Sequence, residues 1–283
     1  MGAGTPVPAY RGDGTGRPAV PLPPGRLPVR SGTRVRKRWR YVGVWSPELS
    51  LCAARVTVGP LVQEFWAVWD RDGRALHEHT RRLPGRVLVG PGSVRVRDGD
   101  VRVDVTFQEG PRGAVEVVAP AGAAYTWTRK QAGLAATGEV RVAGRVLPVA
   151  GRATVDDSAG YHPRRTSWRW STGAGLDVRG RPVAWNLVAG LHDRPGANEC
   201  TVWVDGQPRE VGPVDVADDL SRVRSADGVD LRFTPEAERS RRDDLLLLRP
   251  SYRQPFGGFA GLLPGGVELA AAQGVMECHD AVW

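Results

Sequence analysis

Residues 155–186 hold the densest set of side chains in this chain that could do chemistry. Paired acids, Asp156 and Asp157, are followed by Tyr161 and His162, a basic pair (Arg164, Arg165) and alternating tryptophans, Trp168 and Trp170. Trp185 and Asn186 come after an Arg-Gly-Arg-Pro turn. A carboxylic acid held in an apolar pocket has its pKa raised by burial, which keeps a proton available closer to neutrality. Tyr161 and His162 are placed to share or relay such a proton. Arg164 and Arg165 act in the opposite sense, because an arginine paired with a carboxylate lowers its pKa. The aspartates also read as a turn in which Asp accepts backbone N–H groups. Trp168 and Trp170, two residues apart, share one face of a strand, with Arg169 on the other. That face either packs as core or lines a cavity. In a cavity, indole faces suit an apolar ligand, or a carbocation through cation–π attraction. Trp185 and Asn186 would join the same region from a neighbouring strand, and His192, Asn198 and Glu199 are weaker candidates by the same logic.

Other clusters carry less. His77 and His79 would point to one face of a strand, as a metal pair with no third ligand nearby or as surface histidines. Cys278 and His279 lie near the C-terminus without a spacing that demands a site. Cys52, Cys200 and Cys278 are far apart and form no even framework, so a reduced compartment fits. No nucleotide-binding loop, zinc-protease motif or nucleophile elbow occurs. No metal and no cofactor is expected. The first residues show no basic segment followed by an apolar run, and no apolar stretch approaches a membrane span, so a cytoplasmic protein is the expectation.

The elements that must position these residues read as strands. Gly (36) and Pro (23) are abundant in the 283 residues, while charged (25%) and apolar (41%) contents are ordinary. Glycine and proline then act as punctuation between many short strands. SVRVRDGDVRVDVTF, at residues 93–107, alternates valine with charge on both sides of an Asp-Gly turn, the mark of a hairpin. EVRVAGRVLPVAG and TVWVDGQPREV repeat the signal. EAERSRRDDLLLL is ambiguous between helix and buried strand. A terminal strand, GVMECHDAVW, could close a barrel. The reading is an all-β chain with an irregular Pro/Gly/Arg-rich arm (1–33) and two packed antiparallel units, 34–137 and 138–283.

The net charge is +8, and of 39 basic residues all but Lys37 and Lys130 are arginine. The skew, with abundant Ala, Gly and Val, points to a GC-rich genome such as an actinobacterial one. A real anionic partner is the alternative, either nucleic acid or an anionic membrane surface contacted peripherally. RVRKRWRYVGVW (34–45) could stack nucleic-acid bases on Trp39 and Tyr41. The favoured reading is an edge strand with a charged outer face, so nucleic acid is not the preferred partner.

The segments RKRWRYVGVW, DDSAGYHPRRTSWRWSTGAG, GRPVAWNLVAG, TVWVDGQPREVGPV, SYRQPFGGFAG and GVMECHDAVW resemble the bacterial domain-of-unknown-function family 2804, from about residue 20 to the end. That family carries no established activity. More distantly, an acid followed by Trp-x-Trp in an all-β chain of this size is similar to the two-domain, lipocalin-like (calycin-type) carotenoid hydratases and related cyclases. The resemblance implies two β-barrel domains side by side and a hydrophobic pocket where an acid protonates an alkene. Asp156 or Asp157 would be that acid, with Trp168 and Trp170 in the pocket. The second acid here is followed by Ser-Ala-Gly-Tyr-His, whereas in the hydratases His follows directly. The expected partner is a hydrophobic small molecule, isoprenoid or lipid-like, bound for cofactor-free hydration, isomerisation or cyclisation, or simply carried.

Overall fold

The computed structural model describes residues 7–193, 196–242 and 249–282. Among them there is no helix, and the strands form two large antiparallel sheets. Alternation builds the first. In Ser93–Asp98 and Val101–Phe107 the valines and Phe107 are buried, while Arg95, Arg97, Arg102 and Asp104 between them face water. Their inward face meets Val42, Val44, Leu51, Ala53, Trp66 and Val68 from the other end of the same sheet, so the sheet curls around its own core.

Strand order in the first sheet is 75–81, 61–70, 49–58, 37–45, 145–160, 124–142, 101–107, 93–98, 87–90. Strand Val115–Ala121 branches from the first half of Ala124–Val142. The second sheet runs 207–210, 201–204, 182–189, 165–177, 267–282, 249–263, 230–242, 222–225, 214–216. The three expected hairpins all form. In two of them the central residues, Ala143–Gly144 and Asp205–Gly206, have the paired positive φ that matches strand twist.

Several expectations change. The sheet changes within residues 161–164, not at 137/138. Gly138 lies inside Ala124–Val142, whose hairpin with Arg145–Gly160 belongs entirely to the first sheet. The tight turn at Ala143–Gly144 returns the chain to its neighbour instead of releasing it to a new unit. Strand Lys37–Trp45 is interior, paired on both sides by Leu49–Val58 and Arg145–Gly160. Its charge is accommodated inside the sheet because Arg40 pairs with Asp157 and Glu109, while Arg38 faces water. The last strand, Val267–Val282, sits mid-sheet between Arg165–Asp177 and Arg249–Leu263. The first half of the ambiguous EAERSRRDDLLLL segment is strand Asp230–Arg242, and its leucine run lies outside the described residues. The arm is irregular apart from short pairings, and it lays Leu22 and Leu27 against Tyr125, Trp127 and Tyr161.

The outer face of the first sheet packs on the second. Tyr41, Trp45, Cys52 and Ala54 alternate with the barrel-facing residues and join one core with Trp170, Val188 and Met276. Gly133, at φ +76°, forms a bulge between Ala132 and Leu134 that brings its backbone against Ala184 of the second sheet. A β-carbon there would stand 3.2 Å from the Ala184 methyl. The bulge lies three residues after Lys130, at the sheet–sheet seam.

Leu51 is fully buried in the first core. Leu51→Ala should cost about 2–5 kcal/mol, combining lost transfer energy and a residual cavity, read as a lowered urea midpoint with an unchanged m-value.

Candidate functional site

Register places a row of side chains across the seam face of the first sheet: Lys130 opposite Asp156, Asp156 opposite Tyr41, Tyr41 opposite Ala54, and Ala54 opposite Phe65. The second sheet presents a facing row, Trp168 opposite His279 and His279 opposite Tyr252. Between the rows lies a cavity of about 580 Å³, lined by these residues and by Trp39, Trp170, Glu199, Arg239 and Glu277. Its walls are mostly aromatic and aliphatic.

One end is a buried ion cluster. Lys130 Nζ lies 2.6 Å from Asp156 Oδ1 and 3.1 Å from Glu199 Oε2. His192 Nδ1 is 3.3 Å from Glu199 Oε1, and His192 Nε2 is 2.6 Å from Thr126 Oγ1. Asn186 fixes the Glu199 backbone by donating to its carbonyl at 3.1 Å. Burial opposes charge on both carboxyls, but they end differently. For Glu199 the Lys130 ammonium and His192 outweigh burial, and its carboxyl is held well below the usual range. For Asp156 burial wins over Lys130, helped by repulsion from Glu199, and its pKa is raised. Burial also opposes the Lys130 charge, yet Asp156 and Glu199 together raise its pKa, so it stays an ammonium. Lys130 thus faces two carboxyls, and burial together with repulsion from Glu199 makes Asp156 the one whose charge is less supported.

On the opposite wall Glu277 accepts from Trp168 Nε1 at 2.8 Å and from Gln254 Nε2 at 2.6 Å. Trp170 donates to Asn186 Oδ1 at 2.8 Å, which sets its ring edge-on to Tyr41, with centroids 5.2 Å apart. Trp168 stacks on His279 at 4.1 Å. Arg239 bridges the sheets: it donates to Glu78 at 3.0 Å and to the Tyr252 hydroxyl at 2.9 Å, and it lies 4.3 Å over the Phe65 ring.

The sequence-derived candidates separate. Asp156, Trp168 and Trp170 line the cavity, and Asn186 holds Trp170 and Glu199 in place. Asp157 points to the other face and pairs with Arg40. His162 is buried behind the wall, its ring 4.9 Å from that of Trp39 and 6.3 Å from that of His192. Tyr161 packs edge-on against Tyr125 under the arm and donates to the Pro28 carbonyl, away from the cavity. Trp185 faces the other side of its sheet, against Phe259, with its indole donating to Ser171. Arg164 and Arg165 are exposed, and Arg165 pairs with Asp280. Neither arginine reaches the acids, because strand direction carries both to the surface. Among the remaining histidines, His79 pairs with Asp98 at 2.6 Å on the first sheet.

Lys130, Glu277 and Arg239 escaped the sequence reading. Lys130 had a usable signal in the sequence: it is one of only two lysines in an arginine-rich chain, and both are buried in the structure. A compact ammonium fits where a guanidinium fork does not.

A family model described as "Domain of unknown function (DUF2804)" matches residues 90–283, and the chain belongs to that family. No curated protein sequence matches it. Among solved structures, kievitone hydratase from Nectria haematococca is similar at 11% identity, with 87% of this chain and 88% of that one covered and a TM-score of 0.52. CghA in complex with Sch210972 is similar at 12% identity over 97% of each chain, with a TM-score of 0.45. The fold is the two-domain, lipocalin-like arrangement, all-β as expected.

Two outcomes follow from this geometry. Asp157→Asn leaves Arg40 facing one acid fewer in a largely buried pair and should cost about 3 kcal/mol in urea unfolding, without changing the cavity. Burial, then His192 and Lys37, hold the His162 pKa well below its ordinary value. The unfolded chain takes up that proton near 6.5 and the folded one resists it. This contribution is therefore full above about pH 6.5 and lost as pH falls, by up to about 1.4 kcal/mol per unit. His162→Gln should flatten that part of the stability–pH profile.

Proposed function

We propose that this DUF2804 protein binds an apolar small molecule, isoprenoid or lipid-like, between its two sheets. Asp156 protonates an alkene carbon of the bound molecule. The cation then adds water, loses a neighbouring C–H proton, or is captured by a second double bond that loses one. The proton released returns to the Asp156 carboxylate, completing a cofactor-free hydration, isomerisation or cyclisation. The carrying observation is the placement of Asp156: a carboxyl with a raised pKa, on the wall of an aromatic cavity, with no arginine paired to it among the described residues. A volume of about 580 Å³ falls in the range of small-molecule sites. Protonation of an alkene leaves a cation, and a wall containing the aromatic rings of Trp168, Trp170 and Tyr41 is suited to stabilise one. Glu199 and Lys130 keep the local charge defined while Asp156 changes protonation state. Hydration is the reaction in the name of the kievitone hydratase with a similar fold, but a shared fold does not transfer an activity.

A carrier without chemistry is the second reading. The Lys130–Asp156 contact at 2.6 Å favours it, because an adjacent ammonium stabilises the carboxylate over the acid. Repulsion from Glu199 and burial work against that stabilisation, which is why the acid reading leads.

The experiment compares apolar molecules that co-purify with the parent and with Asp156→Asn, by native mass spectrometry and solvent extraction. The catalytic reading expects a ligand in both, with conversion falling about 10²–10⁴-fold in the variant, the usual contribution of a general acid. The same unconverted species in both would identify a carrier. Absence of any apolar species from both proteins would contradict both readings.

A further inference from the structure

The cavity has a polar, buried end and an apolar, open one. Among the described lining residues, those exposed to solvent are Pro60, Leu61, Arg82 and Pro84. They place the mouth between the turn at Gly59–Pro60 and the segment 82–86. Large apolar side chains gather at this rim in contact with water: Leu61 is 56% exposed, Leu83 69% and Val29 56%. Val29 belongs to the same rim through backbone bonds: Arg36 donates to the Val29 carbonyl at 2.8 Å and Gly59 donates to the Arg36 carbonyl at 3.0 Å.

The exposure of Leu83 is built in. Glu64, fully buried, accepts from the backbone N–H groups of Gly85 at 3.0 Å, Arg86 at 3.1 Å and Val87 at 3.1 Å. A carboxylate receiving several backbone donors fixes the loop, so the leucine is held outward at the mouth. Single exposed leucines are ordinary on protein surfaces. A set of them on pinned backbone, around the entrance of an apolar cavity, is not.

Charge indicates the partner. The rim segments 29–36, 58–61 and 82–87 contain arginines and no acidic residue. Arg30 and Arg86 are exposed beside the apolar tips, and the whole chain carries +8. Apolar tips ringed by cations match the boundary of an anionic bilayer, where side chains enter the acyl region and arginines meet phosphates. We propose that this rim docks on an anionic membrane surface and opens the cavity directly to the bilayer. The proposal rests on the ligand reading above for its purpose: an apolar molecule would enter or leave without crossing water. The docking itself is measured separately.

The test is flotation of the full chain with vesicles of phosphatidylcholine alone and of phosphatidylcholine mixed with phosphatidylglycerol. The protein should float with the anionic vesicles and not with the neutral ones. The double variant Leu61→Ser, Leu83→Ser should lower the bound fraction at least about tenfold, with an unchanged thermal midpoint because both side chains are exposed. Arg30→Glu with Arg86→Glu should weaken binding to anionic vesicles in the same assay. Failure of the parent to float, or equal flotation of the serine variant, overturns the proposal; the former would leave the rim as a protein-docking face. The ligand extracted from the serine variant is read independently, so lost docking with retained ligand separates this proposal from the cavity assignment.

Discussion

A single ammonium buried between two sheets has to balance two carboxylates. Removing ions from water costs several kcal/mol each, and only close, well-directed pairing offsets it. Lys130 meets this demand for Glu199, whose charge His192 also supports, and meets it incompletely for Asp156. Burial and repulsion from Glu199 raise the pKa of Asp156, and the position of the groups decides which acid is so affected. The bulge at Gly133, the hydrogen bonds of Asn186 and the register of four strands converge on this cluster. The seam between the sheets is organised to keep three ionisable groups dry and close, and the cavity begins where they end.

The rest of the cavity is the complement of that cluster. Trp168, Trp170, Tyr41 and Phe65 present ring surface, and their polar edges are tied off. Trp168 donates to Glu277 and Trp170 to Asn186, both at 2.8 Å. Tied indoles keep fixed orientations in the cavity wall. Arg239 locks the two sheets together beside them, so both walls are set before anything binds. Such preorganisation reduces the ordering cost of binding.

Much of the fold is legible in the sequence, because strand period and turn chemistry are local. The Asp-Gly and Ala-Gly turns mark their hairpins, and alternating valines mark the barrel face. The boundary between the sheets is not legible in the same way. Strands of 19 and 16 residues, Ala124–Val142 and Arg145–Gly160, exceed the usual length and pair with three and two neighbours respectively, so a reading tuned to short strands divides the chain inside one of them. Period two also dictates that Asp156 and Asp157 face opposite ways, but not which faces inward. That depends on cross-strand partners: Arg40 on one face and Lys130 on the other. Tyr161, expected as a proton relay, and Trp185, expected beside the ligand, pack away from the cavity, because the arm covers one and the far face of the second sheet buries the other. Glu277 and Arg239 lie on distant strands and acquire their roles only through register.

The central claim is that the cavity-facing aspartate retains its proton beyond the normal range of an aspartic acid. Infrared difference spectroscopy between the parent and Asp156→Asn, followed over pH, reads this directly from the carboxylic C=O band. The account predicts a band absent from the variant that titrates clearly above the ordinary aspartate value of about 3.9. A carboxylate at position 156 that remains ionised down to that value would contradict it.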